Sequence, residues 1–200
     1  NLSGAEATGE QVAGLLMGLR QYHPQIHFTG FDLSNNTFNT DSGLAAVMEA
    51  LKDFQVAATP GQGIKYLNMS GDGIEDLSDT SMLVFGQGLS SFTNLEVLDA
   101  SWNSIGSWGN NGIIAIAKAL PFLTRLQVLD LSNNMIGFTG DKGAVAVGEG
   151  LQYLTQLQTL DLSGNHIGYL EANGTVAIGE ALSSLTRLKI LDLSGNQIGW

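Results

Sequence analysis

Along this chain, short stretches of alternating apolar and polar residues take turns with stretches in which apolar residues recur at helical spacing. In "LTRLQVLDLSNNMIG", Leu123 to Gly137, Leu129 and Leu131 fall on one side of an extended segment and Asp130 and Ser132 on the other. Just before it, Ile113, Ile116, Ala117 and Leu120 mark a single apolar stripe on a helix. The whole block then returns. "LTQLQTLDLSGNHIG" begins at Leu154 and "LTRLKILDLSGNQIG" at Leu185, each 31 residues after its predecessor. "FTNLEVLDASWNSIG" (Phe92 to Gly106) and "GIKYLNMSGDGIE" (Gly63 to Glu75) carry the same spacing backwards. "FTGFDLSNNTF" (Phe28 to Phe38) precedes its successor by 36 residues, Phe31 to Leu67, which puts an insertion of about five residues in "QVAATPGQG", Gln55 to Gly63. A period of this size denotes stacked units, since each unit alone cannot bury its own apolar face. The pattern predicts seven parallel strands, counting an incomplete one at Asn1 to Ser3, with Leu98, Leu129, Leu160 and Leu191 in one buried column.

Within each unit the order L-x-x-L-x-L-x-x-N-x-I appears, as at Leu126, Leu129, Leu131, Asn134 and Ile136, and it resembles the leucine-rich repeat family over essentially the whole chain. The second half of each unit, such as "NGTVAIGEALSSL" (Asn173 to Leu185), resembles the helix-bearing, ribonuclease-inhibitor-like subclass. It departs from that subclass in a slightly longer loop after the Ile-Gly pair and in having no cysteine. The resemblance implies an α/β leucine-rich-repeat solenoid (horseshoe), with a parallel β-sheet on the concave face and helices on the convex face. Residues 1–200 then form a single domain, with both ends falling mid-repeat as in a piece of a longer chain.

Two columns follow from the stacking. Asn36, Asn103, Asn134, Asn165 and Asn196 should turn inward and bond backbone groups left unpaired where each strand bends away. Asp72 breaks that column, and because a carboxylate accepts but does not donate, the second unit is expected to have the irregular turn. Gly86, Gly148 and Gly179 stand where another unit has Ala117, at a cost of about 1 kcal/mol each inside a helix. Close approach of helix to sheet is the expected reason.

Composition narrows the function. With 44% apolar residues the chain can bury a sizeable core. A formal net charge of −11 repels nucleic acid and anionic membrane surfaces alike. There is no cysteine, hence no disulfide and no thiolate metal site, and the localisation stays open between the cytoplasm and secretion without disulfides. No leader-like segment opens the chain, and no apolar run approaches the roughly 20 residues of a membrane span, so the chain reads as soluble. No catalytic constellation emerges. His23, His27 and His166 do not assemble: at roughly 4.8 Å per stacked strand, about 20 Å separates the last two. Ser132, Ser163 and Ser194 are repeat positions rather than nucleophiles, and "GQGIK" (Gly61 to Lys65) lacks the ending and the helix of a phosphate loop. The cluster Asp72, Glu75, Asp76 and Asp79 could gather a hard cation, but Ile74 occupies a required position of the EF-hand pattern. No enzyme, cofactor or metal is expected.

The open face of the sheet offers more. Asp32, Asp99, Asp130, Asp161 and Asp192 take the same outward position, interrupted by Asn68. With Glu96 against Lys65 and Lys189 they leave four net negative charges, which favours a protein partner with a basic surface. The repulsion between neighbouring carboxylates calls for an offset, which the serine column and the two lysines are expected to supply. Phe138, Tyr169 and Trp200 follow the Ile-Gly pair in successive units, and Trp108 falls one residue past it, so these aromatics form a rim. Tyr66 and Trp102 project from the strand segment itself, where aromatic anchors serve interfaces best. The expected function is a protein-interaction scaffold, bound through the concave face and this rim. The alternative is an architectural role in which copies self-associate through uncapped ends.

Overall fold

The structure is a computed structural model that describes residues 1–56, 63–75 and 77–199. The expected insertion between Gln55 and Gly63 therefore lies mostly outside the described residues, as do Asp76 and Trp200. Strands β1 (Gly30–Asp32), β2 (Tyr66–Asn68), β3 (Val97–Asp99), β4 (Val128–Asp130), β5 (Thr159–Asp161) and β6 (Ile190–Asp192) form one parallel sheet in chain order. Each is three residues long and pairs unit position with unit position: Leu98 with Leu129, Leu129 with Leu160, Leu160 with Leu191. Phe31 pairs with Leu67 despite the longer spacing, so the insertion leaves the register intact. Helices α1 (Gly9–Tyr22), α2 (Asp41–Val56), α3 (Asp79–Ser90), α4 (Asn111–Ala119), α5 (Lys142–Leu151) and α6 (Asn173–Leu182) form a second layer, each packed on the next.

The core lies between the layers. Leu67, Leu98, Leu129 and Leu160 are wholly buried there, and Ile113, Ile116 and Leu120 meet them from the helix side. Leu191 does not complete the column, being 40% exposed. It lies on the edge strand of the sheet, and a side chain in this column needs a unit on both sides to be covered. Six strands are present among the described residues, where seven were expected. The segment at Asn1 forms no strand but keeps the backbone bonds that follow one, Leu2 N–H to the Asp32 carbonyl at 2.7 Å and Gly4 N–H to the Ser34 carbonyl at 2.8 Å.

The asparagine column turns inward and ties each unit to the one before. Asn134 Oδ1 accepts the Asn103 N–H at 3.1 Å, and its Nδ2 donates to the Ala100, Leu131 and Ser132 carbonyls at 2.8, 3.1 and 3.3 Å. Asn165 repeats the set one unit on. Around the asparagine the chain needs left-handed residues, taken by Asn133 and Met135 in one unit and by Gly71 and Gly73 in the second. The second turn therefore keeps the common backbone shape, contrary to expectation, and its irregularity is confined to the Asp72 side chain.

The helix glycines also have a different reason from the one expected. A Cβ on Gly86 would lie 2.4 Å from the Ala115 carbonyl oxygen, and one on Gly148 would lie 2.6 Å from the Ala177 backbone. The close approach is between neighbouring helices, not between helix and sheet. Gly179 holds the same place on α6 and has nothing within 4 Å.

Candidate functional site

Strand alternation sends Leu98, Leu129 and Leu160 into the core, and so holds the aspartates between layers of backbone on the open face. Each aspartate is tied down by its own strand end. Asp99 Oδ1 accepts the Ser101 N–H at 3.0 Å and the Ser101 hydroxyl at 2.7 Å, while Asp130, Asp161 and Asp192 accept the N–H two residues on at 2.8 to 2.9 Å. In these four one carboxylate oxygen thus closes the turn and the other is left for the surface, whereas Asp32 Oδ2 accepts from Asn1 Nδ2 at 2.9 Å. Ser101 and Ser132 are buried behind the carboxylates, not exposed beside them as the alternation predicts, because their donors reach back to Oδ1.

The ladder is not electrostatically uniform. Asp130, in mid-column, is pushed up by burial, with Asp99 and Asp161 adding to the push against the bonds from Ser132. Asp192, on the edge, is pulled down by the hydroxyl and N–H of Ser194. The expected help from lysine goes elsewhere: Lys65 pairs with Glu96 at 3.0 Å, and Lys189 donates to Gln158 Oε1 at 2.9 Å. Gln158 in turn donates to Gln127 Oε1 at 3.0 Å, so a separate polar column runs beside the aspartates.

Tyr66 and Trp102 stand differently: Tyr66 projects from β2 as expected, whereas Trp102 lies not on a strand but in the bend three residues past the end of β3. Tyr66 leans across the strand neighbour Gly30, whose missing side chain makes the room: a Cβ there would sit 3.1 Å from the Tyr66 Cβ. Trp102 is 67% exposed and adopts a φ of +58°. The equivalent positions in the other units hold Gly4, Asn35, Gly71, Asn133, Gly164 and Gly195, the two residue types that tolerate this conformation.

At the rim, Phe138 and Tyr169 are brought together by a residue that sequence reasoning passed over. His166 lies between them, its ring 5.5 Å from Phe138 and 6.2 Å from Tyr169. The signal was available, since His166 occupies the left-handed place before Ile-Gly that Met135 holds one unit earlier, and so faces the preceding rim residue. Trp108 is exposed at a separate point beside Ile105 and Gly112 and does not join this cluster. Asp72 leaves the acidic loop altogether, being wholly buried, and among the described residues no group of three or more ligand-type side chains is placed to hold a metal.

A family model for leucine rich repeats (2 copies) matches residues 155–199, and one for a single leucine rich repeat matches residues 125–143. Together with the six stacked units, this decides the family. The chain is a leucine-rich repeat protein. Among solved structures it is similar to one titled leiomodin-1 actin-binding site 2 (ABS2), at 18% identity and a TM-score of 0.56. The match covers 85% of this chain and 86% of that one, and it shows that the two share a fold. No curated protein matches in sequence. As a leucine-rich repeat protein the chain presents a sheet face and a rim, and no described helix is long and apolar enough to cross a membrane.

Proposed function

We propose that this leucine-rich repeat protein is a non-catalytic interaction scaffold that holds an extended basic segment of a partner protein along Asp99, Asp130, Asp161 and Asp192, with Trp102 as anchor. The observation that carries the reading is the conformation of Trp102. A bulky residue in the left-handed region costs about 1 to 2 kcal/mol, and a mostly exposed ring recovers little of that by packing. Strain of this kind persists where a function uses it. The free oxygens of the aspartate ladder supply the charge complement, and Tyr66, Trp108 and the Phe138–Tyr169 cluster supply further apolar contacts. By its title, the leiomodin-1 site is one at which this fold meets a protein, actin. Alternating strands and full helices support placing the chain in the ribonuclease-inhibitor-like subclass.

The test is binding of a synthetic arginine- and lysine-rich peptide to the wild-type chain, to Trp102→Asn and to a Tyr66→Ala variant, by calorimetry at low and physiological salt. Saturable binding that weakens with salt and drops about tenfold or more in Trp102→Asn supports the reading, since anchors of this type contribute about 2 kcal/mol. Equal binding by all three chains rejects the anchor.

A second reading, stacking of copies end to end, has one feature in its favour. Gly179 clears space for a neighbouring helix beside the exposed Ile190 and Ile198 of the edge unit. Against it, Ala5 occupies the place of the column asparagine in the first segment, so such a joint lacks the acceptor that Asn134 gives Asn103. Light scattering over a hundredfold range of concentration separates the readings, a constant mass excluding the stack.

A further inference from the structure

Five units place aspartate on the open face and asparagine four residues later in the turn: Asp32 and Asn36, Asp99 and Asn103, Asp130 and Asn134, Asp161 and Asn165, Asp192 and Asn196. The second unit reverses them, as Asn68 and Asp72. The exchange keeps the composition of the unit and moves its carboxyl from water into the core. Asn68 performs the surface task in full, its Oδ1 accepting the Ser70 N–H at 2.9 Å. Asp72 performs half of the buried task. Its Oδ1 accepts the Asn36 N–H at 2.7 Å, as Asn134 Oδ1 accepts that of Asn103. A carboxyl group is planar, so Oδ2 must lie on the side where each asparagine carries Nδ2. That amide donates to three carbonyls in the regular units, and the shared register assigns those of Leu33, Met69 and Ser70 to this slot. Asp72 Oδ2 is buried and has no hydrogen-bond partner. An ionised oxygen among carbonyl oxygens is repelled, whereas an O–H there can donate to them as the asparagine amide does.

We propose that Asp72 is carried in the folded chain as the neutral acid, its Oδ2–H standing in for the asparagine amide, so that a proton closes the second unit and its loss loosens it. The charged groups that act on Asp72 are Asp32 from the unit before and Asp99 from the unit after, both negative. Its own loop adds Glu75, and Lys65, the sole basic residue between residues 64 and 95, is paired with Glu96 beyond the other end of β2. Burial first, then these two aspartates, outweigh the bond from Asn36 and push the group up to about 8. A folded-state value above the unfolded one contributes stability below the ordinary aspartate range near 4, and that contribution is lost as pH rises through about 8. Asp72 N–H also donates to Asn103 Oδ1 at 2.9 Å, so the turn that the proton closes backs the one that carries Trp102.

Carboxyl-carbon NMR of the intact chain, with the Asp72 signal assigned by its absence from Asp72→Asn, reads the proton directly. A midpoint above 7 is expected; a midpoint below 5 overturns the proposal. Thermal unfolding of both chains from pH 5 to pH 9 supplies the second reading. The wild-type midpoint should fall relative to that of Asp72→Asn by about 4 °C or more over this range. Parallel curves overturn the proposal, as does failure of Asp72→Asn to fold, since asparagine is the residue the slot accepts elsewhere.

Discussion

The second and fourth units have the same backbone and differ in what fills it. Both have a three-residue strand, left-handed residues at the same two places, and a wholly buried strand leucine, Leu67 or Leu129. In the fourth unit a buried amide both donates and accepts; in the second a buried carboxyl accepts once and leaves one oxygen unserved. The turn survives because the column is redundant. The Leu33 carbonyl still accepts from Asn36 Nδ2, and the Met69 carbonyl from Asn103 Nδ2 at 2.7 Å. Each amide reaches two units, so losing one donor orphans no carbonyl, and the damage stays with the misfit side chain.

The largest effect should come from what the two units share. Leu129→Ala removes a wholly buried side chain between two covered neighbours and should cost about 2 to 5 kcal/mol in chemical denaturation. Leu191→Ala, on the half-open edge, should cost less than half of that. Equal costs would mean that the stack does not bury its leucines unit by unit.

Next in size is the transplant of the misfit. Asn134→Asp should copy the second unit into the fourth. The Ala100 and Leu131 carbonyls keep the amides of Asn103 and Asn165, so the cost comes from one unserved buried oxygen, about 1 to 3 kcal/mol. That cost should grow from pH 5 to pH 9, since a raised carboxyl favours the fold only while protonated. A cost independent of pH would show that the new carboxyl reaches water.

The difference between these units also marks what the sequence could reveal. The 31-residue period, the leucine column and the inward asparagines were legible because stacking forces one chemistry on each repeated place. Asp72 was legible as an exception, but its neighbours as acceptors were not, for they are backbone atoms that no residue name records. The strain at Trp102 was hidden for the same reason: its position was readable, and its φ is fixed by the turn it shares with glycines and asparagines. Conversely, His166 escaped because its partner Phe138 belongs to the previous unit, three residues short of a full period. The two lysines were credited to the wrong column, since side-chain reach on the face decides their pairing.

A smaller effect of opposite sign is expected from making the third unit conform. Trp102→Asn installs the residue found at Asn35 and Asn133 and relieves the left-handed strain, so stability should rise by up to about 1 kcal/mol. Lost stability would show that the exposed ring packs on the face and that its conformation is not under strain.

The smallest expected effect on stability tests the aspartate ladder, and Asn68 is the internal precedent for it. Replacing Asp99, Asp130 and Asp161 by asparagine keeps the oxygen that closes each turn, as Asn68 Oδ1 does for the Ser70 N–H. What disappears is three charges. Burial and the flanking aspartates hold Asp130 above the usual carboxylate range, so in the wild type its contribution is present at low pH and lost as pH rises through its folded value. The triple variant should therefore be level with or more stable than the wild type by a few tenths of a kcal/mol near neutrality, and its advantage should shrink as the pH is lowered. Asp192, pulled down by Ser194, runs the other way and is left in place so that its opposite pH dependence is the same in both chains. Binding of the basic peptide should slow in on-rate far more than it changes in off-rate, because these charges act over the Debye length of about 8 Å at physiological salt. Should the triple variant bind as fast as the wild type at low salt, the ladder is there to close turns, and recognition falls to Trp102, Tyr66 and the Phe138–His166–Tyr169 cluster.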